Sequence, residues 1–357
     1  MFFVHPQIKL NNFKKINLAQ KLESYFPSKQ LIFTDMGRSA FKIIIGKLNL
    51  QNSEIMMPAY ICDIFQPILE KYNIKPIFLD IDLKTFHIKR EEIFRKITPR
   101  TKAILVCHTY GLPFDVDGLR SDLPSYLSGG RTSDIAIIED CAHAFGVKPK
   151  SDIAFFSLYK QFPALRGGLL VCPKDWQISL PKTNFNFRDF ISLLNCLPFF
   201  AFIFKKFGND IAPKMLRKEK LPEPAGLNKL SLALFYYSLE DFEKSMQNRI
   251  KLAKFFQQEL QNLGFEVQEH ENNVFCYLSA LVPKNLENKR DEIVAGLRRY
   301  RVFCTRIWHT PIVLSREEFP NTFEVAKRII NFPLQNYYAE KDIRTMLESI
   351  KNVLCEF

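Results

Sequence analysis

Between about residues 30 and 175 the chain alternates short apolar, β-rich runs with stretches of helical periodicity. The apolar runs are Leu31–Phe33, Ile55–Met57, Pro76–Leu79, Ala103–Cys107, Ile135–Ile138, Ala154–Leu158 and Leu169–Cys172. Helical candidates lie between them at Ser39–Leu48, Cys62–Lys71 and Arg90–Ile97. This alternation is that of βαβ units. Several runs are continuously apolar, which predicts a largely parallel sheet covered on both faces. Right-handed crossovers then gather the strand ends and their loops on one edge, where ligands bind.

The pattern changes after Pro173. A Phe-rich run, Phe190–Phe204, leads into a basic, proline-punctuated link at Lys214–Pro224. A long helix is predicted over Leu230–Leu263, a strand over Val274–Leu281, and helices near Asn288–Tyr300 and Glu340–Leu354. No internal repeat is present. The expected architecture is α/β: a large domain over residues 1–213, its mainly parallel sheet flanked by helices, and a smaller C-terminal α+β domain over 214–357. The large domain would include an N-terminal arm and the Phe-rich segment 190–207.

The Phe-rich run is shorter than the roughly 20 apolar residues that cross a bilayer, and Asn195 and Pro198 interrupt it. A buried helix pair or an inter-subunit contact is expected there. The alternative is a membrane-surface patch over 190–206, aromatic and flanked by Lys205 and Lys206. Lys and Arg outnumber Asp and Glu by 50 to 38, a net charge of +12 that favours anionic partners. Without an arginine-rich helix, an RNA-binding signature or zinc-finger spacing, nucleic acid is not expected among them. The eight cysteines include no C-x-x-C pair and read as core residues of a reducing compartment, with no metal site. The start of the chain lacks the charged-then-apolar pattern of a secretory signal, so a cytoplasmic setting is expected.

The chemistry concentrates in Ile135–Cys172. One β-run ends in Glu139-Asp140 and turns through Cys141-Ala142-His143; the next ends in Ser157-Leu158-Tyr159-Lys160, before a Gly167-Gly168 turn. Singly, each residue has a plainer reading: Asp140 as a helix cap, His143 as a core histidine, Lys160 as a surface lysine. Together, an acid at one strand end and a serine and lysine at the next can meet in one crevice. A pyridoxal cofactor needs that set: an amine to bind it, a carboxylate to keep its ring nitrogen protonated, and small donors for its phosphate. His108–Gly111 follows another run on the same edge and reads equally as a turn or as a substrate-facing element.

Several segments resemble the DegT/StrS-type sugar aminotransferases, a branch of the fold-type-I pyridoxal-phosphate enzymes. They are GRSA (37–40), MPAY (57–60), PIFLDID (76–82), ITPRTKAILVCHTYGLPFDVD (97–117), IIEDCAHAFG (137–146), FSLYKQFPALRGGLLV (156–171) and RIINFPLQNYYAEKDI (328–343). The resemblance implies a fold-type-I aminotransferase-like architecture with pyridoxal 5'-phosphate as cofactor. It matches Lys160 to the Schiff-base lysine, which also moves the substrate proton, and Asp140 to the acid that pairs with the pyridine nitrogen. His143 takes the place near the phenolic oxygen and Ser157 that of the phosphate-holding serine. Gly37, Arg38 and Ser39 match a helix start suited to phosphate. Tyr60 is the candidate ring-stacking aromatic, because Cys62 stands at the usual position. Asn228 is the candidate phosphate contact to the partner subunit's site, in a reduced segment Gly226–Leu230. Lys160 follows Ser157 by three residues where five is common, and Gln335 stands where the family often has His.

The implied activity is transfer of an amino group from an amino acid to a keto sugar, linked to a nucleotide, in a homodimer. Two alternatives stay open. One is a pyridoxal-phosphate sugar dehydratase, although members of that kind carry His in place of the lysine. The other is a catalytically altered member acting as a regulator or membrane-associated binding protein.

Overall fold

The computed structural model describes residues 1–3, 6, 18–126, 135–207, 222–269 and 271–357. Seven strands form the principal sheet: β1 Gln30–Thr34, β2 Glu54–Pro58, β3 Lys75–Leu79, β4 Thr101–Cys107, β5 Ala136–Asp140, β6 Ile153–Ser157 and β7 Gly168–Cys172. They stand in the order β1-β7-β6-β5-β4-β2-β3. β3, β2, β4, β5 and β6 pair in parallel, whereas β7 runs antiparallel to both β6 and β1. The mainly parallel sheet expected from the apolar runs is present.

Alternate residues of these strands serve opposite cores. On β4, Ala103, Leu105 and Cys107 pack with Phe41 and Ile44 of helix α1 (Gly37–Lys47), while Ile104 and Val106 pack with Leu119 on the other face. On β7, Leu170 and Cys172 face the first layer and Leu169 and Val171 a third cluster around Phe145, Phe162 and Phe235. Covering on both faces is why these strands read as unbroken apolar runs.

A three-stranded antiparallel sheet lies beyond: β8 Glu266–Val267, β9 Leu278–Leu281 and β10 Ile329–Phe332, with β9 central. Its core joins Phe256 and Leu260 with Leu297, Phe332, Met346 and Ile350. The terminal helix spans Glu340–Leu354 as its periodicity predicts. The boundary expected at 213/214, and the first part of the basic link, lie outside the described residues. The chain start, assigned by sequence to the large domain, pairs instead in parallel with the C-terminal part, Phe2–Phe3 against Val302–Phe303. Gln335 Nε2 donates to Phe3 O at 3.0 Å and helps hold it there.

Three expectations change. The helix predicted over Leu230–Leu263 is two helices, α2 Lys229–Leu239 and α3 Phe242–Asn262. Asp241 (φ −96°, ψ 12°) leaves helical geometry, and Lys21 Nζ donates to the freed Glu240 carbonyl at 2.6 Å. The strand over Val274–Leu281 pairs only from Leu278. Before it, Phe275 adopts φ 50°, and the Val274 and Cys276 N–H groups donate to Gly111 and Tyr110 carbonyls. The Phe-rich segment does form a helix pair, Phe187–Asn195 and Pro198–Phe207, the first opened by an Asn186/Asp189 capping box. Within this chain the pair is not buried, since Phe187 is 69% and Phe199 66% exposed. No helix among the described residues is long and apolar enough to cross a membrane.

Candidate active site

Four chain elements end at one edge of the principal sheet. β4 runs out into His108-Thr109, β5 ends at Asp140, β6 ends at Ser157, and α1 begins at Gly37. The residues at these ends line a cavity of about 240 Å³, together with Ala142, His143, Lys160 and, from the C-terminal part, Trp308.

The three-residue spacing of Ser157 and Lys160 has a local cause. Residues Leu158–Lys160 form a 3₁₀ turn directly after β6. In such a turn positions i and i+3 eclipse one another, so the short spacing keeps hydroxyl and amine on one side. The helix start is brought close by small residues. A Cβ on Gly37 would stand 3.2 Å from Phe156 O and 3.6 Å from Ser157 Cβ, so glycine lets α1 begin against the end of β6. A helix start presents N–H groups outward and suits an anion, and Gly37 and Arg38 place this one in the cavity wall.

Lys160 Nζ lies 2.8 Å from His143 Nε2, and His143 Nδ1 accepts from Tyr110 N–H at 3.4 Å. Burial, with the charge of Lys160, holds the His143 imidazolium well below its ordinary pKa, so the ring is neutral. For Lys160, burial works to lower the pKa, but Tyr159, Cys62, Asp140 and Cys276 outweigh it and the net direction is upward. Burial raises Asp140, opposed by Lys160 and by Ala142 N–H, which donates to Oδ1 at 2.9 Å. Cys107 Sγ donates to Oδ2 at 3.7 Å. Asp140 is thus a buried carboxyl that a cationic partner would favour in its charged form.

Beneath the cavity, His108 Nε2 donates to Glu139 Oε2 at 2.8 Å while its Nδ1 accepts from Phe114 N–H at 2.9 Å. That pattern fixes the tautomer. Glu139 Oε1 also accepts from Lys150 N–H at 2.8 Å and from Ser151 N–H. Although burial works to raise its pKa, these bonds hold Glu139 below the usual carboxylate value.

Of the residues singled out by sequence, Lys160, Asp140, His143, Ser157, Gly37 and Arg38 line the cavity. Ser39 is fully buried beside it; its N–H donates to Met36 O, and its Oγ has no hydrogen-bond partner. Tyr60 stands behind the wall, its hydroxyl 2.6 Å from Tyr110 Oη and 3.1 Å from Ile307 O. Asn228 caps α2, accepting from Ser231 N–H and donating to Asp189 Oδ2. The sequence reading did not include Trp308, which comes from a loop more than 140 residues after Lys160. An amine, a buried carboxyl, a hydroxyl and a helix start around one cavity fit pyridoxal phosphate: the amine for its aldehyde, the acid for its ring nitrogen, the remainder for its phosphate.

Comparison with known proteins agrees. The sequence profile of the DegT/DnrJ/EryC1/StrS aminotransferase family matches residues 13–351. The chain is 22% identical over 361 residues to the dTDP-4-amino-4,6-dideoxy-D-glucose transaminase of Shigella dysenteriae, spanning 94% of this chain and 89% of that protein. Its fold is similar to that of a Streptococcus pneumoniae protein assigned as a sugar aminotransferase and solved in its PMP form. That match has a TM-score of 0.73 at 17% identity and covers 95% of this chain and 91% of the other. It is also similar to the Escherichia coli GDP-4-keto-6-deoxy-D-mannose-3-dehydratase with bound hydrated PLP, with a TM-score of 0.70 at 18% identity over 93% and 91% of the two chains.

Proposed function

The chain belongs to the DegT/DnrJ/EryC1/StrS aminotransferase family, and on that premise we propose that it moves an amino group from an amino acid to a keto sugar carried on a nucleotide. It is a pyridoxal-phosphate-dependent transaminase. The observation that carries the reading is the convergence of Lys160, Asp140, His143 and Ser157 on one cavity, with Lys160 Nζ 2.8 Å from His143 Nε2. Bound pyridoxal phosphate supplies an aldehyde that captures amines and a ring that takes up electrons from the neighbouring carbon.

The chain's own groups do the rest. Lys160 would hold the cofactor through its amine and, when that amine is free, would serve as the base that moves the substrate's proton. Neutral His143, its Nε2 2.8 Å from Lys160 Nζ, would lie beside the cofactor's phenolic oxygen. Asp140, a buried carboxyl in the cavity wall, would keep the ring nitrogen protonated. Ser157 and the Gly37–Arg38 helix start would take the phosphate.

The nucleotide-linked acceptor is supported by the named activity of the Shigella relative and by the net charge of +12. A homodimer is supported by the exposed aromatic face of Phe187, Phe190, Phe199 and Phe200, an unusual surface for a lone chain. Contact of 190–206 with a membrane surface is the competing use of that face. A reducing, cytoplasmic setting agrees with eight free cysteines. Against the dehydratase alternative stands Lys160 itself.

Visible absorbance tests the reading. Purified protein loaded with pyridoxal phosphate is expected to show a cofactor band that glutamate bleaches and that Lys160→Ala does not form. No band in the loaded wild type would remove the enzyme reading and bring the regulator forward. A band that no amino acid bleaches would bring back the dehydratase.

A further inference from the structure

The cavity is not uniform. The sheet edge supplies charge and hydroxyl groups at Lys160, Asp140, Arg38 and Ser157, whereas Trp308 contributes a flat apolar indole from the C-terminal part. Trp308 is half-buried. Its ring lies 5.0 Å from His143 at 30° and 5.6 Å from Tyr110 at 25°, and Tyr60 meets it edge-on at 5.3 Å and 81°. The rest of it borders the cavity.

The loop that presents this ring is gripped through both backbone polar groups of one residue, Ile307. Ile307 N–H donates to Asn331 Oδ1 at 2.7 Å, and Asn331 Nδ2 donates on to Ser279 Oγ at 2.8 Å. Ile307 O lies 3.1 Å from both the Tyr60 and Tyr110 hydroxyls, which stand 2.6 Å apart, so one hydroxyl donates to the other and the second donates to the carbonyl. Trp308 itself stands at φ 56°, a left-handed conformation rare for a bulky side chain and one that persists only where its surroundings enforce it. Two tyrosines and an asparagine, all spent on a strained backbone under one indole, make a rigid platform.

A transaminase admits two different substrates in turn to the same cavity. An α-amino acid such as glutamate offers charges and a flexible chain. A pyranose offers a ring with an apolar C–H face, which a fixed aromatic wall covers at little entropic cost. We propose that Trp308 is the wall against which the acceptor sugar ring packs, making it a specificity-determining residue for the sugar half of the reaction and not for the amino-acid half. This rests on the transaminase reading above.

The two half-reactions give the test its own control. Cofactor-loaded wild type, Trp308→Ala and Trp308→Phe are mixed with glutamate in single-turnover absorbance. They are then mixed with dTDP-4-amino-4,6-dideoxy-D-glucose and with GDP-perosamine, which run the sugar half in reverse. Trp308→Ala is expected to keep the cofactor band and its glutamate rate within about twofold, while its kcat/KM for the amino sugar falls about tenfold or more, chiefly through KM. Trp308→Phe should restore most of that loss. Equal losses in both halves would overturn the proposal, showing that Trp308 acts through the Lys160–His143 pair, and so would no loss in either. A wild type that reacts with glutamate and with neither amino sugar would instead overturn the nucleotide-sugar reading, and this inference with it.

Discussion

Gly168 opens β7 directly against the start of α1, and a single methyl group there should loosen the cofactor's phosphate. A Cβ on Gly168 would stand 2.5 Å from the Met36 carbonyl carbon, 2.5 Å from Thr34 Oγ1 and 2.6 Å from Gly37 N. Ordinary contact begins at 3.4 Å. Relief from 2.5 to 3.4 Å parts strand and helix start by about 0.9 Å, and two of the three neighbours are backbone atoms that cannot rotate away. The helix start cannot simply retreat toward β6 either, because Gly37 already approaches Phe156 O closely there. A charge-assisted hydrogen bond contributes about 1.5–3 kcal/mol. Disturbing one at the helix start should therefore raise the dissociation constant for pyridoxal phosphate about ten- to a hundred-fold in Gly168→Ala. The assay is titration of the apo protein with pyridoxal phosphate, followed by visible absorbance, beside Gly264→Ala. Gly264 has φ 83° and meets only Pro283, so that control should lose stability from backbone strain but not cofactor affinity. Gly168→Ala binding the cofactor as tightly as wild type would refute the placement of the phosphate at the start of α1.

Glu139→Gln should destabilise the protein by about 2–4 kcal/mol at neutral pH, because an amide cannot accept from His108 Nε2 and both loop N–H groups together. The folded-state pKa of Glu139 is depressed, so its contribution is present above the unfolded value of about 4.3 and is lost as pH falls through the folded pKa. The gap between wild type and variant in urea denaturation should then narrow in acid; a gap that widens there would contradict the assignment. Replacing Phe199 and Phe200 by Ser should convert a dimer to monomers in sedimentation if that face joins two copies. If vesicle binding is lost instead, with the oligomeric state unchanged, the face belongs to a membrane surface.

The fold was legible where one physical signal dominated. The inner sheet strands show as apolar runs because their residues meet a covering layer on either face: Leu105 with α1, Val106 with Leu119. The terminal helix shows because its buried positions Ile343, Met346, Leu347 and Ile350 repeat at helical spacing. Misreadings came where a distant group decided. Nothing local at Glu240-Asp241 announces a break whose free carbonyl is taken by Lys21. Likewise Val274–Cys276 has strand composition, but its N–H groups are claimed by the turn at Tyr110–Gly111. The aromatic helix pair has the composition of a core without the layer to cover it, and composition alone does not tell the two apart.

The same division runs through the site. The groups proposed to bind and activate hang from consecutive strand ends of one parallel sheet, so their order along the chain is their order in space. Asp140, His143, Ser157 and Lys160 fall within 21 residues, and the sequence displays them as a set. Trp308 has no such signature. Its own segment, Arg306-Ile307-Trp308-His309, carries no periodicity. What makes it part of the cavity is Tyr60 and Tyr110 reaching across to Ile307 O, and Asn331 holding Ile307 N–H. Tyr60, read from sequence as the residue that stacks on the cofactor, stands one layer back, fixing the ring that lines the cavity. Chemistry common to a whole enzyme class can be written into short, ordered segments on one sheet. Selectivity for one substrate is assembled across the chain from side chains whose meaning appears only when they meet.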